Sequence, residues 1–533
     1  MHGTVVSTTL LALHAWFGHA TASAYSNIAD SSQFLEQLGL TPAEQARLSQ
    51  SLHGVDLDKV STLDPAERGS ITCLVANAVF GSKFVSQSAT DYEALVEVNW
   101  SSACWFEPQC IIQPESTQDV SKAMVIVTYL GSKFAIRSGG HNPNPGYAGI
   151  GEEGVLIDMS HMTDISLNQN GSIASLGPGN RFGPAQKALN SLGKTVHAGR
   201  INWVGVGGYF LGGGLTYFNS IHGLAADNIV NYEVVLANSS VVNANAQVNP
   251  DLWWALKGSA TNFGVITRYD VKTTDNSSYW FEGLYYAPEQ SEKLIEAVVA
   301  YANAADKDPY SAISFTLNPA VNFVEFIYAK PVKRPSTYSM FYDIPSQSQA
   351  INSTFGNMVD MNNAISGINP ETYKRRMIAS TAHRFDVGAL KEIFAMYLDF
   401  DSEATKLGAA TGMVVQPFTS AGVRHSASTG GNPIGLNEGL QNHMAFSLEW
   451  EDSASDAAAM TALSNLTSKV EELTKKRGLF LETKLMNDAG FNQNVLASYG
   501  TSNLKRLRDI ASQYDPSKVF QKLQNNGFLL DKA

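Results

Sequence analysis

The residues Ile136-Arg137-Ser138-Gly139-Gly140-His141 close an apolar run with two adjacent glycines and an imidazole. Paired glycines let the main chain turn sharply and present several N–H groups to one anion, a concave cradle suited to a pyrophosphate. Taken alone, the hexapeptide reads first as an ordinary Gly-Gly turn beside an incidental histidine. A second cluster changes that balance: Gly199, Gly205, Gly207 and Gly208, followed by Gly212-Gly213-Gly214. Each glycine costs roughly 0.5–1 kcal/mol relative to alanine in regular structure, so the run is expected to be neither an efficient helix nor a strand. Something must approach this backbone closely, and a large flat cofactor with a diphosphate fits. A flexible loop fits poorly, because Val, Phe and Tyr interleave the glycines. The spacing is not G-x-G-x-x-G, so a Rossmann dinucleotide site is not supported.

The elements around these clusters follow from hydrophobic periodicity. Phe34, Leu35, Leu38, Leu48 and Leu52 recur at helical spacing, and residues 25–104 read as mostly helical. From 105 to 277 short strands alternate with glycine-rich turns and helices. Within this block, 154–159 and 265–271 read as strands and 232–242 as a hairpin. Residues 278–480 read as helix plus antiparallel sheet. Leu294, Ile295, Val298, Val299 and Ala302 share a helix face, and a hairpin turns at Asn318-Pro319. Further strands are expected at 413–416 and 444–450. A last helix through Leu504, Leu507 and Ile510 stops at Asp515-Pro516. The whole reads as an α+β fold.

The 533 residues carry a net charge of -12, which argues against nucleic acid or an anionic membrane as the main partner. The apolar run Val5 to Phe17 is too short to span a bilayer, and Ala22-Ser23-Ala24 resembles a signal-peptidase site. Residues 1–24 are therefore expected to be a secretory signal, with a membrane anchor or a buried helix as the alternative. No later run is long enough for a membrane span. Acceptor sequons at Asn99, Asn170, Asn238, Asn276, Asn352 and Asn465 support secretion. The three cysteines, Cys73, Cys104 and Cys110, allow one intrachain pair, and the residues alone do not choose it. H-E-x-x-H and G-x-S-x-G are absent, so neither a zinc protease nor a serine hydrolase of that type is indicated, and no metal site is expected.

Taken in order, Pro108–Cys110, Arg137 to His141, Gly177-Pro178-Gly179, Gly205 to Gly214, Gly223 to Asn228, Asn249 to Gly258 and Asn262-Phe263-Gly264 form a pattern. With it the chain resembles the oxygen-dependent FAD-linked oxidoreductases, the berberine-bridge-enzyme-like group of the vanillyl-alcohol-oxidase superfamily. The resemblance implies a two-part PCMH-type FAD-binding domain and a substrate domain with an antiparallel sheet covered by helices. It also implies a segment, 481–533, that returns to the flavin unit. By resemblance, FAD is contacted by Arg137, Ser138, Gly139, Gly140, Gly205, Val206, Gly207, Gly208, Gly213, Asp227, Asn228, Gly264 and Val265, and is bonded covalently to His141. A second link through cysteine is not expected, because Ile201 or Asn202 stands in its place. Val206 falls where the family has a residue gating oxygen, and the family pairing implies Cys73–Cys110 with Cys104 free.

The family often shows Tyr-x-Asn-Tyr near the C-terminal segment, where this chain has Leu485-Met486-Asn487-Asp488. A phenolate base from that motif is therefore in doubt. Asp488 is the candidate base, Asn487 and Gln416 are further candidate catalytic residues, and His443 and Tyr499 are others. A turn hydrogen bond explains Asp488 equally well. The resulting expectation is a secreted oxidase that takes hydride from a small secondary metabolite, alcohol or sugar and passes electrons to O2. A dehydrogenase using another acceptor, or an inactive flavin-binding protein, are the alternatives.

Overall fold

A computed structural model describes residues 30–533 apart from His53 and Ala198. The signal segment expected at 1–24 lies outside the described residues. Three large sheets and a two-stranded ribbon organise the described residues. The first, in the order Phe84–Ser86, Cys110–Ile112, Gly154–Asp158, Lys133–Arg137, is parallel except at its first pair. Its apolar side chains pack with those of helices Ser31–Leu38, Pro65–Phe80 and Thr117–Leu130 in one core. Thr41 and Asp64 start the helices Pro42–Ser51 and Pro65–Phe80 with reciprocal capping boxes and Pro at the first turn. Cys73 and Cys110 are bonded to each other, and Cys104 is buried and free.

A second, antiparallel sheet runs Ile165–Leu167, Ile173–Leu176, Val265–Lys272, Ile229–Val235, Val241–Asn245. The hairpin and both strands expected from alternation are present here and in the first sheet. The third sheet has nine antiparallel strands, and the helices Ser291–Ala305, Val387–Lys406 and Asp456–Lys476 pack against its apolar side chains. Period-2 alternation decides which residues face the helices. On Arg375–His383, Met377 and Ala379 join the helix-covered core, while Arg376 and Ile378 point toward the glycine-rich part of the chain.

After the short strand Phe480–Leu481 the chain runs back to the other two sheets. The helix Thr501–Tyr514 places Leu507 and Ile510 in the core of the second sheet. Val519 and Phe520 enter the core of the first. There Phe134 N donates to Leu523 O at 3.0 Å and Asn525 N to Phe134 O at 2.8 Å.

One local expectation is overturned. Val206–Leu211 is a short α-helix despite its glycines. Six residues carry little of the entropic cost that a long glycine-rich helix would, and the glycines are there for close contacts. A Cβ on Gly207 would stand 2.8 Å from Ser138 Oγ.

Candidate active site

Where the glycine clusters meet, a cavity of about 370 Å³ opens between the first two sheets, the third sheet and the C-terminal segment. Its floor is main chain. Gly139 and Gly205 cross so closely that a Cβ on either would meet backbone of the other at 2.4 Å. Ser138, Gly139, Gly140, Gly205, Gly207, Gly208 and Val265, all among the expected cofactor residues, line it. Ile136, Met159, Pro178, Ile266 and Tyr269 supply an apolar wall, and the C-terminal segment adds Phe528.

Six of the expected cofactor residues do not line this cavity. Arg137 is turned inward, paired with Asp158 at 2.8 Å across adjacent strands, because a strand that aims Ile136 at the cavity aims its neighbour away. Val206 is fully buried in the core of the second sheet. Gly213 packs beneath Ile434, and Gly264 against Val234. Asp227 accepts from Leu224 N (2.9 Å), Asn432 Nδ2 (2.9 Å) and Ser426 Oγ, holding a turn. Asn228 donates to the carbonyls of His222 and Leu224 for the same purpose.

His141 lines the cavity with its ring stacked on Trp100, centroids 4.2 Å apart. Among the described residues neither ring nitrogen has a hydrogen-bond partner. Burial, with Arg181 and Arg376 nearby, pushes its pKa down to about 3, so the ring is neutral and holds a free lone pair. Bare amides for a diphosphate, an apolar wall for a flat ring and an unpaired imidazole together fit FAD.

Asp488 lines the same cavity, at the end of the single turn Met486–Asp488. Asn487 fixes that turn: Gly214 N donates to Asn487 Oδ1 at 2.9 Å, and a side chain at Gly212 would collide with this amide at 2.4 Å. Asn487 is thus a positioning residue. Gln416 Nε2 donates to Asp488 Oδ2 at 2.9 Å, and Arg200 Nη2 donates to Gln416 Oε1 at 2.8 Å. Burial raises the Asp488 pKa, opposed by the Gln416 hydrogen bond and the Arg200 charge. A raised carboxylate beside a cofactor cavity is what a general base requires. Beyond Arg200, Tyr217 donates to the fully buried Glu325 at 2.9 Å, and burial lifts Glu325 to about 7.

Arg200, Trp100, Arg376, Tyr217 and Glu325 escaped sequence reasoning. The one signal available was a charge inside an apolar alternation, as in Phe323-Val324-Glu325-Phe326-Ile327. His443 and Tyr499 do not line the cavity. The His443 imidazole sits buried against Gln441 Oε1, and Tyr499 donates to Gly258 O at 2.8 Å. The sequon at Asn99 is corrected as well: the side chain is buried and donates to Cys104 O at 2.9 Å, leaving no room for a glycan. Asn170, Asn352 and Asn465 are exposed, and Asn238 and Asn276 half-buried. Among the described residues no group of three or more His, Cys, Asp or Glu is placed to hold a metal ion, and no helix is long and apolar enough to cross a membrane.

Fold and site together define a flavin-binding α+β protein. The family description "FAD binding domain" matches residues 108–245. The chain is 35% identical over 462 residues to an FAD-dependent monooxygenase of Arthrobotrys oligospora, covering 86% of this chain and 89% of the relative. It is 32% identical to the bifunctional solanapyrone synthase of Alternaria solani, covering 82% and 85%. The carbohydrate oxidase of Microdochium nivale shares the fold at a TM-score of 0.71 and 20% identity, over 85% of this chain and 99% of that one. The chain belongs to the FAD-linked oxidoreductases, and it is an FAD-dependent oxidoreductase. It shares the fold of a berberine-bridge-enzyme-like protein of Physcomitrella patens at a TM-score of 0.72 and 19% identity, over 86% of this chain and 99% of that one.

Proposed function

We propose that the chain is an oxidase acting on a C–H bond of a small secondary metabolite, with Asp488 as base and the flavin held covalently through His141 alone. FAD, when bound, accepts the hydride and passes two electrons to O2, giving H2O2. The chain's own residues do the rest. The glycine crossing at 139 and 205 lets main chain approach the diphosphate, and His141 tethers the ring. Asp488 takes the substrate proton, with Gln416 and Arg200 holding the carboxylate in place. The single observation that supports this most is that Asp488 and His141 line one cavity. The solanapyrone synthase supports a secondary-metabolite substrate rather than a sugar, because it is a sequence relative, whereas the carbohydrate oxidase shares the fold alone.

The same reading takes residues 25–277 as the flavin unit, 278–480 as the substrate unit and 481–533 as a closing segment. It places the protein in the secretory pathway, with Asn170, Asn352 and Asn465 open to glycans.

A second reading is favoured by the name of the Arthrobotrys relative: a monooxygenase, in which oxygen from O2 enters the product. Substrate-reduced protein mixed with ¹⁸O2 separates the two. Equimolar peroxide and unlabelled product support the oxidase. Label in the product supports the monooxygenase. Failure of the reduced protein to reoxidise in air excludes both and leaves a dehydrogenase.

A further inference from the structure

We infer that Trp100 is the positioning residue that presents His141 for covalent attachment to the flavin, with Arg376 clamping Trp100 from the substrate sheet. The inference rests on the reading that His141 holds FAD, and deepens it. The indole lies flat on the imidazole, centroids 4.2 Å apart and planes 17° from parallel. On the indole, Arg376 Cζ sits 4.2 Å from the ring centroid, a cation–π contact. The stack therefore links a guanidinium, an indole and an imidazole.

Its surroundings are locked from both sides. Trp100 N donates to Gly140 O at 2.9 Å, next to His141. Two residues on, Ser102 N donates to Lys374 O at 3.0 Å, and Arg376 N donates to Ser101 Oγ at 3.0 Å. The Arg376 guanidinium also donates to the carbonyls of Trp100 and Thr372 and pairs with Glu449 at 2.9 Å, so it is fixed before it meets the indole. His141 has no hydrogen bond of its own among the described residues. The face of Trp100 is what sets the plane of its ring, and leaves a ring nitrogen free.

Attachment forms a bond between an imidazole nitrogen and the flavin 8α-methyl carbon. That carbon gives up one hydrogen, the imidazole gives up its N–H proton, and O2 takes both hydrogens and the two electrons as H2O2. The lone pair must point along a narrow line at the methyl carbon, and misorientation of a reacting group by a small angle is costly. A ring free to rotate about its side-chain bonds meets that line rarely; a ring pressed on an indole meets it continuously.

The test compares wild type with W100F and W100L, expressed in a riboflavin-replete host. Total flavin is read from the visible spectrum of the native protein. The covalent share is the fraction remaining with acid-precipitated protein. Wild type should retain nearly all its flavin after acid. W100L should bind FAD but retain at least tenfold less, and W100F, which keeps an aromatic face, two- to threefold less. A folded W100L with the wild-type covalent fraction overturns the inference. Should W100L not fold, W100F at the wild-type fraction overturns it instead. A wild-type pellet without colour would overturn the attachment reading itself, independently of either variant.

Discussion

Gln416 Nε2 donates to Asp488 Oδ2 across 2.9 Å, joining the large sheet to the returning C-terminal segment. The bond fixes one lone pair of the carboxylate and leaves Asp488 facing the cavity. Removing the acceptor charge should be costly to turnover and neutral to folding. D488N is expected to lower kcat by 10²–10⁴, the usual contribution of a general base, with flavin content unchanged. Stopped-flow reduction of the flavin measures it, and a variant reduced at the wild-type rate would remove Asp488 from the mechanism.

The same pair has a pH consequence. Burial raises the Asp488 pKa, so the reduction rate should rise with pH through a limb above the ordinary carboxylate range. The Gln416 hydrogen bond stabilises the ionised form. Q416A should therefore move that limb to higher pH, and a limb that stays in place or falls would contradict the assignment.

Covalent attachment at His141 predicts a separate phenotype. H141A should release its FAD on acid precipitation and reduce more slowly with substrate, because an alkylated flavin ring is the better hydride acceptor. Persistent covalent flavin in H141A would point to another residue.

Glu325 makes a stability prediction. Its pKa is lifted by burial from 4.5 to about 7, so the folded state binds a proton that the unfolded state has lost between those values. Stability from this group is full below about pH 4.5 and is lost as pH rises through 7, by up to about 3 kcal/mol. E325Q cannot ionise. The gap in melting temperature between E325Q and wild type should move in favour of E325Q from pH 5 to pH 8, and an unchanged gap would place the carboxyl in a wetter setting.

The glycine crossing can be tested by size alone. G139A or G205A puts a methyl group 2.4 Å from facing main chain, an overpacking worth about 1–3 kcal/mol, and should lower flavin occupancy. Gly367, in a helix with nothing within 4 Å, is the control, and G367A should melt no lower than wild type. Equal effects at the two sites would mean that the crossing is not tight.

Local pattern alone determined the strands at 154–158 and 265–272, both hairpins and the helix 291–305, because alternation and 3.6-residue periodicity are written in neighbouring residues. Clustered glycines and one histidine likewise marked the cavity floor, since a bare backbone has few other uses in a packed chain. Arg200, Gln416 and Asp488, or Trp100, His141 and Arg376, were not legible as groups, being separated by up to hundreds of residues and brought together only by sheet order and strand register. Tertiary packing also turned Arg137, Val206, Asp227 and Asn228 away from the cavity lining. Each sits inside a motif whose neighbours line the cavity, but the direction of one side chain depends on the face of its element that the core claims first.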